Sequence, residues 1–346
     1  SVTWSSANTW RSGSPGGTAT SLNGNLTKGY LDDGGAGNLI TVTNVPYLTY
    51  NVYVIQGSDQ GGATENTNST YRPITVNGTF YKGNNASGTL STSTVVGNAQ
   101  WTGKNWTDND TLVEGSHYLR VTNQSSPTLT VHGGTGGGRG PIAGVQVENS
   151  YTGTVSYWDT DNTTAGAGGA TPSGNWADNN WGASQAGDAT TGAWTSGNAA
   201  AFSAGTTATG AYTVTVAGTQ TADAVWVQDG TLTLDGGTVA LSGSRIIRVD
   251  SASGANLVLN STLSADGAVS SSGTYSFGAA QTINTAFTQT TGTLSSSVTN
   301  TVASGGNLIL GTGGALNSPL TVDVGGTLTV APSATVPFNA MVLHAS

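Results

Sequence analysis

Short stretches in which apolar and polar side chains alternate recur along the chain, in two different rhythms. In the first 150 residues the alternation is clean at 40–43 and 50–54, where every second side chain is apolar and points to one face, the mark of a half-buried strand. Residues 72–76, 79–81, 118–121, 128–131 and 143–147 read the same way, separated by Gly, Asn and Ser clusters at the intervals of an antiparallel sandwich. The sharpest local signal is Val76-Asn77-Gly78-Thr79. Asn-Gly between two strand-like runs supplies the positive φ angles of a type I′ turn, so 72–81 is expected to be a hairpin.

From Thr213 the rhythm changes: the apolar runs shorten to three to five residues and recur with Gly or Asp-Gly breaks. The candidate rungs are 213–216, 224–227, 231–234, 238–241, 246–249, 256–259, 293–298, 307–310, 320–324 and 327–330. A rung this short cannot bury its apolar face alone, and stacking on neighbours supplies core and backbone ladder together. The shortness and the Gly punctuation favour such a solenoid over a second sandwich. The chain therefore reads as all-β: an antiparallel, jelly-roll-like β-sandwich at 1–150, a Gly/Trp-rich connector at 151–194, and a parallel β-helix at 195–346. The tryptophans mark the same division, because eight of the nine lie at or before Trp194.

Composition removes helices and several partners. Charged residues are 8% of the chain, hydrophobic residues 36%, and there are 52 Gly; Gly, Ser, Thr and Asn favour turns and strands over helix interiors. Disorder is the rival reading of such a composition, and the strand patterning argues against it. Without Cys there are neither disulfides nor thiolate chemistry. Secretion remains compatible, because a long hydrogen-bonded ladder with a large core needs no staples. Residues 1–150 hold eight acids against seven bases and the remainder ten acids against two bases, and no Lys follows Lys104. A chain without a basic stripe excludes nucleic acid and anionic membrane as expected partners. No run approaches the ~18 apolar residues of a membrane span. The chain begins at Ser1 rather than Met, and we expect a processed protein.

NWADNNWG at 175–182 and the stretch from GAWTSGNAAAF to TLTLDGGTV at 192–239 resemble the autotransporter-associated β-strand repeat family of secreted bacterial surface proteins, and ALNSPLTVDVGGTLTV at 315–330 resembles a further copy. The resemblance implies a right-handed parallel β-helix, secretion to the cell surface or the extracellular space, and a passenger or stalk role. TWSSANTW at 3–10, KGYLDDG at 28–34, YNVYVI at 50–55 and GRGPIAGVQVEN at 138–149 are similar to modules found ahead of such repeats.

Candidate chemistry lies in the first domain. Trp101 and Trp106 sit beside Lys104 and Asn105, and Tyr71-Arg72 opens the expected hairpin. An aromatic ring offers an apolar face to a sugar while its polar neighbours fix the hydroxyls. Trp averages high burial, so each ring taken singly reads rather as a core or loop anchor. Asp159-Thr160-Asp161-Asn162 begins like a calcium loop, but Thr164 and Ala170 stand where such a loop needs Gly and Glu. The expectation there is a turn with solvated carboxylates. GGTGGGRG at 133–140 precedes a strand rather than a helix, so it reads as a bent connection and not a phosphate cradle.

Catalytic sets do not assemble. Asp32 and Asp33 are adjacent and on a strand would face opposite ways, and a zinc site would need His117, His132 and His344 to converge. Arg245 and Arg248, three positions apart, would also face opposite ways on a regular strand. We expect no enzymatic activity, no cofactor and no metal, but a structural or adhesive surface protein. Self-association through strand or solenoid edges follows from the open ends of a β-helix. The alternatives are a carbohydrate-binding module on a β-helix spacer and, behind it, a polysaccharide-active enzyme.

Overall fold

The computed structural model describes residues 1–11, 29–32, 37–55, 74–81, 118–134, 142–336 and 341–344. No α-helix occurs among them, and the chain divides into two compact units, Ser1–Tyr151 and Thr152–Ser346.

Ten strands build the first unit: β1 (Val2–Ser6), β2 (Asn8–Arg11), β3 (Gly29–Asp32), β4 (Asn38–Thr43), β5 (Tyr50–Ile55), β6 (Ile74–Val76), β7 (Thr79–Tyr81), β8 (Tyr118–Gln124), β9 (Thr128–Gly133) and β10 (Gly144–Asn149). They form an antiparallel sheet in the order β1-β4-β9-β6-β7, a second in the order β10-β5-β8, and the ribbon β2-β3. Strict alternation turns Val52 and Val54 of β5, Ile74 and Val76 of β6, Leu119 and Val121 of β8, and Leu129 and Val131 of β9 into one shared core. Each such burial contributes roughly 1.5–3 kcal/mol. The expected hairpin is present as β6 and β7, with Val76 paired to Thr79 and with φ of 47° at Asn77 and 80° at Gly78. Asn77 does more than turn the chain, since its Oδ1 accepts the Thr130 N–H at 2.9 Å and fastens the hairpin to β9.

The second unit is a parallel β-solenoid of about seven turns over residues 199–343. A coil takes from the 18 residues separating Leu257 from its partner Tyr275 to the 25 separating Ala199 from Ala224. Three faces recur: one through 211–215, 231–235, 256–259 and 275–277; one through 224–227, 246–249, 269–272 and 307–310; and one through 282–283, 300–302, 320–322 and 341–343. Leucine, valine and phenylalanine from all three fill the interior. Two rungs expected at 238–241 and 246–249 are one twelve-residue strand, Thr238–Val249, that bends through Arg245 at a φ of 52°.

Three further strands, Thr262–Ala265, Val269–Ser272 and Tyr275–Phe277, occupy a stretch whose sequence shows little apolar alternation, and the rung expected at 293–298 is the end of a longer strand, Ala286–Ser296. Polar side chains take interior positions there. Gln289 is fully buried, its Oε1 accepting from Ser271 Oγ at 2.6 Å and its Nε2 donating to the carbonyls of Gly273 and Thr291. A second polar line runs through Gln281, Asn300 and Ser318, where Asn300 Oδ1 accepts the Gln281 N–H and Asn300 Nδ2 donates to Ser318 Oγ. Such pairing matters because an unpaired polar atom turned inward costs about 1–3 kcal/mol.

On one face the ladder is interrupted. Thr262–Ala265 pairs with the strand above it, Thr282–Ile283 pairs with the strand below it, and no backbone pairing joins the two. Gln281 spans the breach: its Oε1 accepts the Leu263 N–H at 2.8 Å and its Nε2 donates to the Ser261 carbonyl at 3.0 Å.

The Gly/Trp-rich segment 151–194, set apart in the sequence as a connector, packs as the irregular first coil of the solenoid. Val155–Trp158 pairs in parallel with Ala199–Phe202, Gly174–Asn175 pairs with the strand at 211–215, and Trp181 folds back antiparallel on Trp158. Trp158, Trp176, Trp181, Trp194 and Phe202 stack against one another with ring centroids 4.5–6.2 Å apart. The indole N–H of Trp158 donates to the Pro172 carbonyl and that of Trp181 to the Trp176 carbonyl. The last rung, Thr327–Val330 with Met341–Leu343, has no such cover: Val342 and Leu343 are 53% and 67% exposed, and no described strand pairs with its outer edge.

Candidate functional site

Tyr71, Arg72, Trp101, Lys104, Asn105 and Trp106, the residues the sequence singles out for a glycan, all lie outside the described residues. What the described part of the first unit offers is the outer face of the β10-β5-β8 sheet. The alternation that drives Val52, Val54, Leu119 and Val121 inward leaves Asn51 and Tyr53 of β5, Tyr118 and Arg120 of β8, and Gln146 and Glu148 of β10 on the other side. Register sets Gln146, Tyr53 and Arg120 side by side across three strands. Tyr53 reaches diagonally to donate its phenol O–H to Glu148 Oε2 at 2.6 Å, and its ring lies 5.7 Å from that of Tyr118, tilted by 53°. Acceptance by the Glu148 carboxylate, with burial adding to it, holds the Tyr53 phenol above its ordinary pKa, so it remains a neutral donor. Two half-buried rings ringed by a carboxylate, a guanidinium and an amide can stack on an apolar face and satisfy hydroxyls. Sequence reasoning passed over Tyr53 and Tyr118 because it looked for Trp in loops; the signal was the polar half of the same alternation that identified the strands.

In the solenoid, the two arginines expected to face opposite ways have different surroundings. Arg245, at the bend, is part-exposed and pairs with Asp266 at 2.9 Å. Arg248 is completely buried, although its neighbours Ile247 and Val249 are the ones that face the core. Its Nε donates to Asp250 Oδ1 at 2.7 Å, its guanidinium lies 5.0 Å from the Trp226 ring, and the Trp226 indole N–H donates to Asp250 Oδ2 at 3.1 Å. Burial pushes the Asp250 carboxyl up while Arg248 pulls it back. This is a closed structural network with its acid, its base and its ring all engaged.

The third location overturns an expectation. Asp159, read from the sequence as a solvated turn residue, is 1% exposed, whereas Asp161 two positions on is exposed as expected. Asp159 N–H donates to the Asn180 carbonyl, and Asp159 Oδ1 accepts the Asp161 N–H at 2.9 Å, which fixes the carboxyl beneath the 159–168 loop. Gly168 closes that loop at a φ of 88°, and a Cβ there would collide with the Thr160 hydroxyl, so only glycine permits the closure. The other oxygen, Asp159 Oδ2, is buried with no hydrogen-bond partner. Burial first, and then the nearby Asp161 carboxylate, raise the Asp159 carboxyl to about 6.

Among the described residues, no three or more His, Cys, Asp or Glu side chains gather into one group. His132 lies on β9 and His344 pairs with Asp323 at 3.1 Å, while His117 and Asp33 fall outside the described residues. No helix among the described residues is long and apolar enough to cross a membrane. No family model, no curated protein and no solved structure matches the chain.

Proposed function

We propose that this chain is an extracellular structural or adhesive surface protein, in which the solenoid is a spacer whose last rung receives a strand from another copy. The observation that carries the reading is the edge-to-edge stacking of the coils: the rung of Thr327–Val330 and Met341–Leu343 exposes Val342 and Leu343 and an edge that no described strand pairs, so it can accept a further rung. Unpaired edges of this kind template strand addition unless charge blocks them. The likeness of 192–239 and 315–330 to autotransporter-associated repeats supports the surface role, and no catalytic role is assigned. Sedimentation across rising concentration tests the assembly. Wild-type protein is expected to associate, and the double variant Val342→Lys, Leu343→Lys to stay monomeric; dispersed wild-type monomers throughout would rule assembly out.

A second reading, glycan binding by the first unit, is favoured by the face carrying Tyr53 and Tyr118 with Arg120, Gln146 and Glu148. On a glycan array, Tyr53→Ala and Tyr118→Ala are each expected to lower binding about tenfold or more, in line with the ~1.4 kcal/mol that separates decades of affinity. Binding that survives both substitutions would move the ligand elsewhere on the unit.

A further inference from the structure

The carboxyl of Asp159 is the acidic group at the capped end that packing leaves unexplained, beside the unpartnered indole N–H groups of Trp176 and Trp194. A fully paired buried acid would need nothing more, as Asp250 shows with Arg248 and Trp226 on its two oxygens. Asp159 has no base beside it. Its Oδ1 accepts the Asp161 N–H, its Oδ2 is buried with no hydrogen-bond partner, and the charge that acts on it is the Asp161 carboxylate, two residues on. Two carboxylates brought together with an unpartnered oxygen repel unless something positive stands between them.

We propose that Asp159 and Asp161 bind a calcium ion at the capped end of the solenoid, with Asp159 Oδ2 as the buried ligand. The donors decide the class of ion. Both are hard carboxylate oxygens, and no Cys exists to hold a soft metal. Asp161 and the following residues to Ala165 are exposed, so water and loop carbonyls can complete the six to eight oxygens calcium requires. Two protein carboxylates with a largely hydrated remainder place the site in the weak class, with a Kd on the order of 0.1–1 mM, where extracellular modules work. A site of this strength is filled outside cells and empty inside them.

Calorimetric titration of the EDTA-stripped full chain with CaCl2, paired with thermal unfolding, tests the proposal. Trp158 adjoins Asp159 and supplies a fluorescence signal for the same titration. Calcium is expected to bind with millimolar or sub-millimolar affinity and to raise Tm. Asp159→Asn should abolish both effects, and Asp161→Asn should weaken binding about tenfold or more. Asp178→Asn, in the same cap but engaged with Asn175, should leave the titration unchanged. Because Asp159→Asn could fail to fold, its circular dichroism is read first, and the exposed Asp161 variant carries the test if it does. No response of wild-type protein up to ~10 mM calcium overturns the proposal, as does an equal response from wild type and both variants. If calcium is silent while Asp159→Asn is markedly more stable, the pair shares a proton instead, and the proposal falls.

Discussion

The two ends of the solenoid solve the same physical problem in opposite ways. Stacked coils expose at each end an apolar cross-section and a row of unpaired backbone groups. At the start, a long irregular coil packs four indoles around Phe202 of the next strand and satisfies the buried N–H groups of Trp158 and Trp181 with main-chain carbonyls. At the other end a plain rung stops with Val330, Val342 and Leu343 facing outward. The difference teaches that an edge can be covered by side chains packed across it, or left as backbone on which a further rung can pair.

Truncating the plug should give the largest effect. Trp176→Ala removes a fully buried indole that touches Trp181, Trp194 and Phe202, and is expected to cost about 3–5 kcal/mol in chemical denaturation. Leu343→Ala at the open end should stay within about 0.5 kcal/mol, as exposed positions do. Equal costs at the two ends would abolish the contrast.

Acidity sharpens the comparison by an intermediate amount. Asp159 in the plugged end titrates near 6 when folded, above its ordinary 3.8, so its ionisation opposes folding. In chelator, that opposition is absent below about pH 4, grows through pH 6, and is complete above it. Stability should therefore rise on acidification from pH 7 to pH 5 by about 1–1.5 kcal/mol, since each tenfold difference in proton affinity between the folded and unfolded chain is worth roughly 1.4 kcal/mol and part of the span lies below pH 5. Asp159→Asn should flatten this dependence, whereas removing the exposed Asp323 near the open end should leave it intact.

A modest effect belongs to the first unit, which serves as an outside reference. Asn77→Ala sacrifices a residue suited to positive φ and the bond to Thr130, and is expected to cost about 1 kcal/mol. Local amide exchange in β6 and β7 should report the loss, with the solenoid unmoved.

Legibility in the sequence followed the same division between regular and irregular parts. Strands such as Tyr50–Ile55, Asn256–Leu259 and Asn307–Leu310 were readable because alternation is a local property, and Asn77-Gly78 because a turn's φ angles choose their residues. The strands between 262 and 289 escaped because Ser271, Gln281 and Gln289 stand where apolar residues would mark the interior, whereas the rung expected at 293–298 overlaps the end of Ala286–Ser296. The plug escaped because its tryptophans meet through long-range packing with no period to betray it. Of the candidate sites, Tyr53 and Tyr118 were implicit in the strand pattern. Asp159 was not, since what buries it is a loop closed by Gly168, and no pattern within Asp159–Asn162 distinguishes a covered carboxyl from a wet one.

The breach between Thr262–Ala265 and Thr282–Ile283 carries a mechanical meaning. Pulling force along a stack is shared among its three walls, and here one wall hands its share to a single amide side chain. Stretched from its ends, the solenoid would part first at Gln281, the fuse in an otherwise continuous cable.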